Sequence, residues 1–255
     1  MKQRMMIVVL LIGTMISCSK RENNTKNATG EPPRDIKAVA NTAPEGRYNP
    51  YDFSGIRHNE ILGALRSYQK ETGDTTRAGM KKFFINDLRA RTGRIPDIDL
   101  NKVDMLFQRV QQVGLAKFLS GTTLEGGLKE YLIRLKETIE AIDNPDLYPF
   151  FLRRVSALEH EASASDLSPH DQEAFLRISS IAFHSGMFWK GVYDTNTWLK
   201  PSSQSAQMRW WQWPIVLNAD FIGGVLGLVM GGDLDMIDTS AGWMSGGAEG
   251  VLDLL

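Results

Sequence analysis

The side chains most able to carry out chemistry in this sequence are one cysteine and four histidines, namely Cys18, His58, His160, His170 and His184. A thiolate can act as a nucleophile, a metal ligand or an acyl acceptor, and an imidazole can act as a general base or a metal ligand. The sequence contains no H-E-x-x-H, no E-x-x-H pair and no cysteine set with the spacing of a zinc or di-iron site. We therefore expect neither a bound metal nor a cofactor.

Two further catalytic patterns are missing from the sequence. A G-x-x-x-x-G-K-[ST] phosphate-binding loop does not occur. The stretch Gly242–Gly246 comes near a G-x-S-x-G nucleophile elbow, but its serine, Ser245, stands one place late. The sequence therefore favours a protein that is not an enzyme, and a hydrolase with an unrecognised site stays open as an alternative.

His58 has a catalytic and a structural interpretation. In the first it acts as a general base, with Glu60 or a distant acid as its partner. Residues two apart on a helix point to different faces, which argues against a local pair between His58 and Glu60. In the second interpretation, His58 and Asn59 bond local backbone groups in the first turn of a helix. We favour the structural role.

The other histidines also have structural interpretations. His160 lies between Glu159 and Glu161, and all three are expected on a charged, solvated helix face. His170 follows a proline in the first turn of a helix, where the helix dipole disfavours a charged imidazole. His184 is expected to be packed or half-buried near a tryptophan. The histidines therefore do not predict an active site.

Cys18 ends an N-terminal segment that has the pattern of an export signal. Lys2 and Arg4 precede an apolar run from Met5 to Ile16. Such a run is shorter than the roughly 20 residues needed to span a bilayer, but its length is typical of a signal-peptide core. The single cysteine of an exported chain cannot form an internal disulfide. Lipid attachment therefore explains Cys18 better than a buried free thiol does.

The sequence Met15-Ile16-Ser17-Cys18 resembles the lipobox of bacterial lipoproteins, in which a small residue precedes the cysteine. In that family the thiol receives a diacylglycerol, a peptidase cuts before the cysteine, and the new amine is acylated. The resemblance implies a signal peptide over residues 1–17 and a membrane partner bound through Cys18. Ser19 is not the aspartate that retains such proteins in the inner membrane, which favours the outer membrane. The periplasmic and the exterior face both stay open.

Composition divides the rest of the chain. Residues 18–48 are rich in Asn and Pro and poor in bulky apolar side chains, which predicts a disordered tether. Residues 49–200 are predicted to form an α-helical domain, and residues 201–255 form a Trp- and Gly-rich C-terminal subdomain. A formal net charge of −1 gives no electrostatic reason to expect nucleic acid as a partner.

Apolar residues recur at helical spacing through the predicted domain, and no stretch shows the sustained alternation of a strand. Gly73 and Gly93 are predicted to end the first two helices, and Ser168 is predicted to cap the sixth. The clearest helix ends at Asn144-Pro145, and its apolar face carries Leu128, Leu132, Leu135, Ile139 and Ile142. The predicted fold is all-α, a helical bundle with a glycine-rich helical hairpin at its C-terminus.

The block Asn49–Asn59 has the pattern N-P-Y-D-x-x-G-x-x-H-N, and the positions of interest in it are Tyr51, Gly55, His58 and Asn59. It resembles the start of the folded region in uncharacterised lipoproteins of Bacteroides-type bacteria, in which a similar pattern follows the tether. The tryptophan-led, glycine-rich segment Trp210–Gly250 is also similar to that group. The resemblance implies an exported helical lipoprotein, and it brings no established activity.

Two glycine stripes mark the C-terminal subdomain, Gly223, Gly227 and Gly231 in the first and Gly242, Gly246 and Gly250 in the second. On a helix, a spacing of four aligns the three glycines of each stripe and lets another backbone approach closely. The two segments are predicted to pair as a hairpin, joined by an acidic turn over Asp233–Asp238.

Three interpretations of the stripes stay open. They pack against each other or against the bundle, or they contact a membrane with the tryptophans at its interface, or they mediate self-association. The apolar run Phe221–Gly232 is too short to span a bilayer, which favours packing. The predicted function is that of a lipid-anchored cell-envelope protein with a binding or structural role. Two alternatives to this function stay open: a membrane-active protein that uses the glycine-rich end, and the hydrolase.

Overall fold

The computed structural model describes residues 47–93, 99–195, 209–231 and 234–252 of the chain. Within these ranges the chain forms nine α-helices, one turn of 3-10 helix and no strand. This confirms the predicted all-α fold. The predicted signal peptide, Cys18 and the predicted tether up to residue 46 lie outside the described residues.

The helices follow one another with short connections. In chain order they are α1 Phe53–Thr72, α2 Arg77–Thr92, α3 Leu100–Val113, α4 Leu115–Ser120, α5 Gly126–Glu140, α6 Tyr148–Ser163, α7 Pro169–Thr195, α8 Gln212–Gly231 and α9 Asp235–Leu252. The 3-10 turn, Pro145–Leu147, joins α5 to α6.

The helix ends follow local backbone chemistry. Gly73 and Gly93 adopt φ values of +68° and +67°, and each donates its N–H to a carbonyl four residues earlier, which ends α1 and α2 as predicted. Ser168 Oγ accepts a hydrogen bond of 3.2 Å from Asp171 N at the start of α7, so the predicted cap is confirmed. Helix α5 ends at Glu140, two residues before Ile142, which is nevertheless buried.

Helix α8 lies in the middle of the fold. It packs against α9, α7, α3 and α5, and 14 of its 20 residues are buried. A helix that is surrounded on all sides needs apolar residues around its whole circumference, as α8 has. Trp213 from α8 and Trp243 from α9 belong to the same hydrophobic core as Leu132 and Phe175 of the preceding helices.

The C-terminal hairpin forms as α8 and α9, but its connection differs from the predicted acidic turn. Helix α9 already begins at Asp235, so Asp238 lies within the helix and has no exposed surface. The first residue of the predicted turn, Asp233, lies outside the described residues. The prediction of an acidic turn up to Asp238 was wrong, because helix α9 starts at Asp235 and buries the carboxylate of Asp238.

Candidate functional site

The first half of the block 49–59 binds to α6 and α7. Asn49 Nδ2 donates to Glu159 Oε1 at 2.7 Å and to the carbonyl of Leu176 at 2.8 Å. Asn49 Oδ1 accepts from the backbone N–H of Tyr51 at 2.9 Å, which fixes the turn before α1. The Tyr51 ring lies against Phe53 in an edge-on contact with a centroid distance of 6.4 Å.

The second half of the block brings α1 and α7 into close contact. The backbone N–H of Gly55 donates to Ser180 Oγ at 3.0 Å, and Asn59 Nδ2 donates to the carbonyl of His184 at 3.0 Å. A Cβ atom added at Gly55 would lie 2.3 Å from the carbonyl oxygen of Ser180. The block therefore acts as a docking segment that joins the N-terminal end of the fold to α7.

A buried ion pair lies beside this contact. Arg47 donates from Nε and Nη2 to the two carboxylate oxygens of Glu159 at 2.8 and 2.7 Å, and it also pairs with Asp52. Its guanidinium stacks 3.8 Å above the centre of the Phe183 ring. Burial alone would lower the pKa of Arg47, but its hydrogen bonds and charge interactions with Glu159 and Asp52 outweigh burial and raise it.

The prediction that Glu159 is solvated was wrong, because Glu159 has no exposed surface. A signal for this was present in the sequence. Val155, Leu158 and Ala162 are buried residues of α6, and Glu159 lies within their helical stripe. The prediction treated Glu159 as one of a charged run, whereas its partner Arg47 is 112 residues away in the chain.

His184 forms the second part of this network. Its Nε2 lies 2.9 Å from Asp52 Oδ1, and the histidine is buried, as predicted. Partial burial would raise the pKa of Asp52, but the hydrogen bond and charge of His184, together with Arg47, outweigh it and lower that pKa to about 2. Asp52 is therefore held as a carboxylate between two basic groups.

His58 faces a different carboxylate on α8. Its Nε2 lies 3.3 Å from Asp220 Oδ2, and neither side chain is exposed. The same oxygen accepts hydrogen bonds from Ser185 Oγ and, at 3.0 Å, from Trp189 Nε1. Asp220 thus joins α8 to both α7 and α1, and it gives an otherwise apolar helix one orientation in the core.

Asp238 on α9 is a buried carboxylate with no hydrogen-bond partner at either oxygen among the described residues. The nearest cation is Arg57, whose Nη1 lies 3.7 Å from Oδ2. Burial raises the pKa of Asp238 to about 6, against the opposing charges of Arg57, His58, Arg177 and Arg91. Its charge therefore changes in the same pH range as that of an ordinary imidazole.

The raised pKa of Asp238 predicts how pH acts on stability. The folded state keeps the proton on this carboxyl to a higher pH than the unfolded state does. The free energy of unfolding therefore falls as pH rises from about 4 to about 6, and this loss of stability, the penalty for the buried charge, persists above pH 6. Replacing Asp238 with Asn removes the penalty. We expect Asp238→Asn to stabilise the chain by about 2 kcal/mol at pH 8 and much less at pH 4.5.

Urea unfolding at the two pH values measures this difference, with Asp166→Asn, an exposed residue in the loop before α7, as the control. An equal effect of Asp238→Asn at both pH values, or destabilisation at pH 8, would contradict the raised pKa.

Both histidine–carboxylate pairs have the components of a general base with its orienting acid. Neither pair lines the cavity described below, and each lies in the contact between packed helices. In this arrangement the pairs hold helices together. The hydrogen bonds to local backbone groups that were expected of His58 and Asn59 do not form: neither ring nitrogen of His58 has a hydrogen-bond partner among the described residues, and Asn59 Nδ2 donates to the carbonyl of His184 on α7. No group of three or more His, Cys, Asp or Glu among the described residues is arranged to hold a metal ion.

The first glycine stripe faces the partner helix of the hairpin. Cβ atoms added at Gly223 and Gly227 would lie 2.5 Å and 2.6 Å from backbone carbonyl oxygens of α9, at Ser240 and Met236. Gly231, at the end of α8, has no such neighbour within 4 Å. Close approach of the two backbones therefore depends on two of the three glycines.

The second stripe faces the other helices of the bundle. A Cβ atom at Gly242 would contact Phe84 of α2 at 2.9 Å, and one at Gly246 would contact Leu65 of α1 at 2.9 Å. Gly250 lies in the last turns of α9. Self-association or membrane contact through either stripe would require these internal contacts to open.

One helix among the described residues, Gln212–Gly231, is long and apolar enough to cross a membrane by length and composition. Buried residues make up 67% of its apolar window. A core helix passes the same test as a spanning one, so this property does not by itself indicate a membrane segment.

An open cavity of about 840 Å³ lies at the other end of α8. The second half of α3, the segment from α4 to the start of α5, the first turn of α7 and the last turns of α8 surround it. Its apolar wall includes Leu106, Val113, Phe118, Leu124, Leu228 and Val229, and its polar wall includes Arg109, Lys117, Glu125, His170 and Asp171. Nothing in the sequence indicated this cavity, because its lining comes from three separate parts of the chain, residues 106–125, 170–171 and 228–229.

Comparison of the chain with protein-family models, with curated proteins and with solved structures finds no match. The resemblance of the block Asn49–Asn59 to Bacteroides-type lipoproteins therefore stays a prediction.

Proposed function

We propose that this protein is a lipid-anchored binding protein of the bacterial cell envelope. The observation that carries the proposal is the position of Cys18. It is the only cysteine in the chain, and it follows directly on a short apolar run with a cationic start. Acylation of this residue explains both its position and its uniqueness, and several acyl chains together anchor a protein firmly.

The contacts of the first described residues support a tethered arrangement. Arg47 is bound to Glu159 and Asp52, so the folded body already includes this residue, which the sequence had assigned to the tether. The 29 positions from Cys18 to Arg47 can extend to roughly 100 Å, which is enough to keep the body clear of the bilayer surface. The most exposed large apolar side chain among the described residues, Tyr48, also lies at this end.

The binding role is supported by a difference between the buried histidines and the residues that line the cavity. The two histidines that could act as bases serve as contacts between helices, whereas the cavity is open, mostly apolar and lined by several charged groups. Cavities of a few hundred to about 1,000 Å³ with this kind of lining are typical of small-molecule sites.

The membrane-active alternative requires α8 and α9 to leave the bundle. That step would take Asp220 and Asp238, both without exposed surface, out of their present surroundings and towards hydrocarbon. Charged side chains inside a bilayer are costly. We therefore prefer the tethered, folded arrangement to insertion of the hairpin.

Mass spectrometry of the mature N-terminus together with membrane fractionation tests the anchor. We expect a diacylated or triacylated peptide that begins at Cys18, and we expect the protein in the outer-membrane fraction. Cys18→Ala should lose the acyl mass and leave that fraction, whereas the neighbouring control Ser19→Ala should keep both. An unmodified N-terminus upstream of Cys18, or retention of Cys18→Ala in the outer membrane, would overturn the proposal.

A further inference from the structure

We propose that the cavity at the end of α8 binds a small zwitterionic amphiphile through Asp171. In this arrangement the Asp171 carboxylate holds a primary ammonium group of the ligand, Lys117 and Arg109 attract its anionic group, and the apolar wall takes its hydrocarbon part. The inference rests on the binding role proposed above and is independent of the lipid anchor.

Asp171 is the residue that indicates a ligand. Only 8% of its side chain is exposed, yet its Oδ2 has no hydrogen-bond partner within the part of the chain that the structure describes. Its Oδ1 lies 3.3 Å from His170 Nδ1, an exposed neighbour. Buried carboxylate oxygens are normally satisfied, and Asp171 is one of the residues that line the cavity, so its unpaired oxygen calls for a donor from a ligand.

The position of Asp171 in α7 sharpens this argument. It is the third residue of the helix, from which an acidic side chain usually returns to the N–H of the capping residue. Here only the reverse bond forms, from Asp171 N to Ser168 Oγ. The carboxylate is therefore not used in the cap. The positive end of the helix dipole stabilises its negative charge, and a charged carboxylate prefers a cationic donor.

The other residues that line the cavity indicate which further groups the ligand carries. Leu106, Phe118 and Leu228 form an apolar wall that suits a hydrocarbon group. Lys117 and Arg109 are exposed cations on the cavity wall, and they suit a carboxylate or phosphate. Two sources supply an ammonium, an anion and hydrocarbon in one small molecule, namely a short apolar peptide and a lysophosphatidylethanolamine.

The experiment is calorimetric titration of the full chain carrying Cys18→Ala, so that no arm depends on lipidation. The probes are trileucine, lysophosphatidylethanolamine below its micelle concentration, and the N-acetylated form of each, which lacks the ammonium. We expect at least one ammonium probe to bind with Kd below about 1 mM and its acetylated form to bind at least about tenfold more weakly. Whichever probe binds identifies the source.

Asp171→Asn should weaken the ammonium probe by at least about tenfold and leave the acetylated probe unchanged, since it removes the charge and keeps the shape. The control Asp166→Asn, an exposed residue five positions earlier, should change neither. If Asp171→Asn does not fold, the comparison of free and acetylated probes on the unaltered cavity still decides the matter. No binding of trileucine at about 1 mM and of lysophosphatidylethanolamine up to its micelle concentration, or equal binding of the acetylated forms, would overturn the proposal. Neither result would affect the lipid anchor at Cys18.

Discussion

Replacing Glu159 with Gln is expected to destabilise the protein by about 3 to 4 kcal/mol, the largest effect predicted for a single residue of this chain. The Glu159 carboxylate accepts hydrogen bonds from Arg47, from Asn49 Nδ2 at 2.7 Å and from Ser179 Oγ at 2.9 Å. An amide would turn an NH₂ group towards these donors. It would also leave the buried guanidinium of Arg47 with only Asp52 as a charged partner.

Urea unfolding of the full chain gives the change in the free energy of unfolding, provided that the slope with denaturant stays constant. Glu161→Gln is the matched control. It lies two residues away on α6, its side chain is 41% exposed, and it pairs with Arg134 at the surface. Exposed pairs contribute about 0 to 1 kcal/mol, so this variant should remain close to the native chain. Similar effects of the two substitutions would contradict the buried ion pair.

Replacing Gly55 with Ala is expected to destabilise the protein by about 2 to 3 kcal/mol. The added methyl group would lie 2.3 Å from the carbonyl oxygen of Ser180, and that atom belongs to the backbone of α7. Since a backbone cannot turn aside as a side chain can, α1 and α7 must move apart. Their separation would also weaken the hydrogen bond from Asn59 to His184.

Gly63→Ala on the same helix should have the opposite sign. A Cβ atom at Gly63 meets nothing within 4 Å, and alanine is better than glycine in a helix by about 1 kcal/mol. Thermal and urea unfolding of the two variants therefore separate the steric effect from helix propensity. Stabilisation by Gly55→Ala, or destabilisation of equal size by both, would show that α1 and α7 are not in the close contact described.

The close backbone contact between α1 and α7 and the charged pairs between helices both determine how the helices pack. Two polar pairs lie where α1, α7 and α8 meet. His58 of α1 faces Asp220 of α8, and Asp52, just before α1, pairs with His184 of α7. An apolar core alone tolerates many alternative packings. A carboxylate and an imidazole that face each other between helices favour the one arrangement that brings them together.

The sequence by itself determined the local structure. The left-handed glycines at 73 and 93 and the serine cap at 168 predicted where helices begin and end, because these signals act within one or two helical turns. The apolar spacing of α5 predicted its buried face, but the helix ends at Glu140 and not at Asn144-Pro145. The same kind of local pattern carries the expectation of a signal peptide and of lipid attachment at Cys18.

Only the tertiary structure decided which helix faces meet. Arg47 and Glu159 are 112 residues apart, and the sequence near Glu159 contains a charged run that is also compatible with a solvated surface. The glycine stripes were compatible with three interpretations, because a row without side chains accepts any close backbone. The structure places Gly223 and Gly227 against α9, and Gly242 and Gly246 against α1 and α2.

The cavity and Asp171 Oδ2, which has no hydrogen-bond partner among the described residues, are also long-range features. The spacing of Ser168 and Asp171 predicted a helix cap, and one half of that cap forms. Asp171 Oδ2 is buried and has no partner among the described residues. This depends on α3, α4 and α8, which approach α7 from other parts of the chain. The local sequence determines the conformation of a residue. Whether its charged group is buried depends on the segments that pack around it.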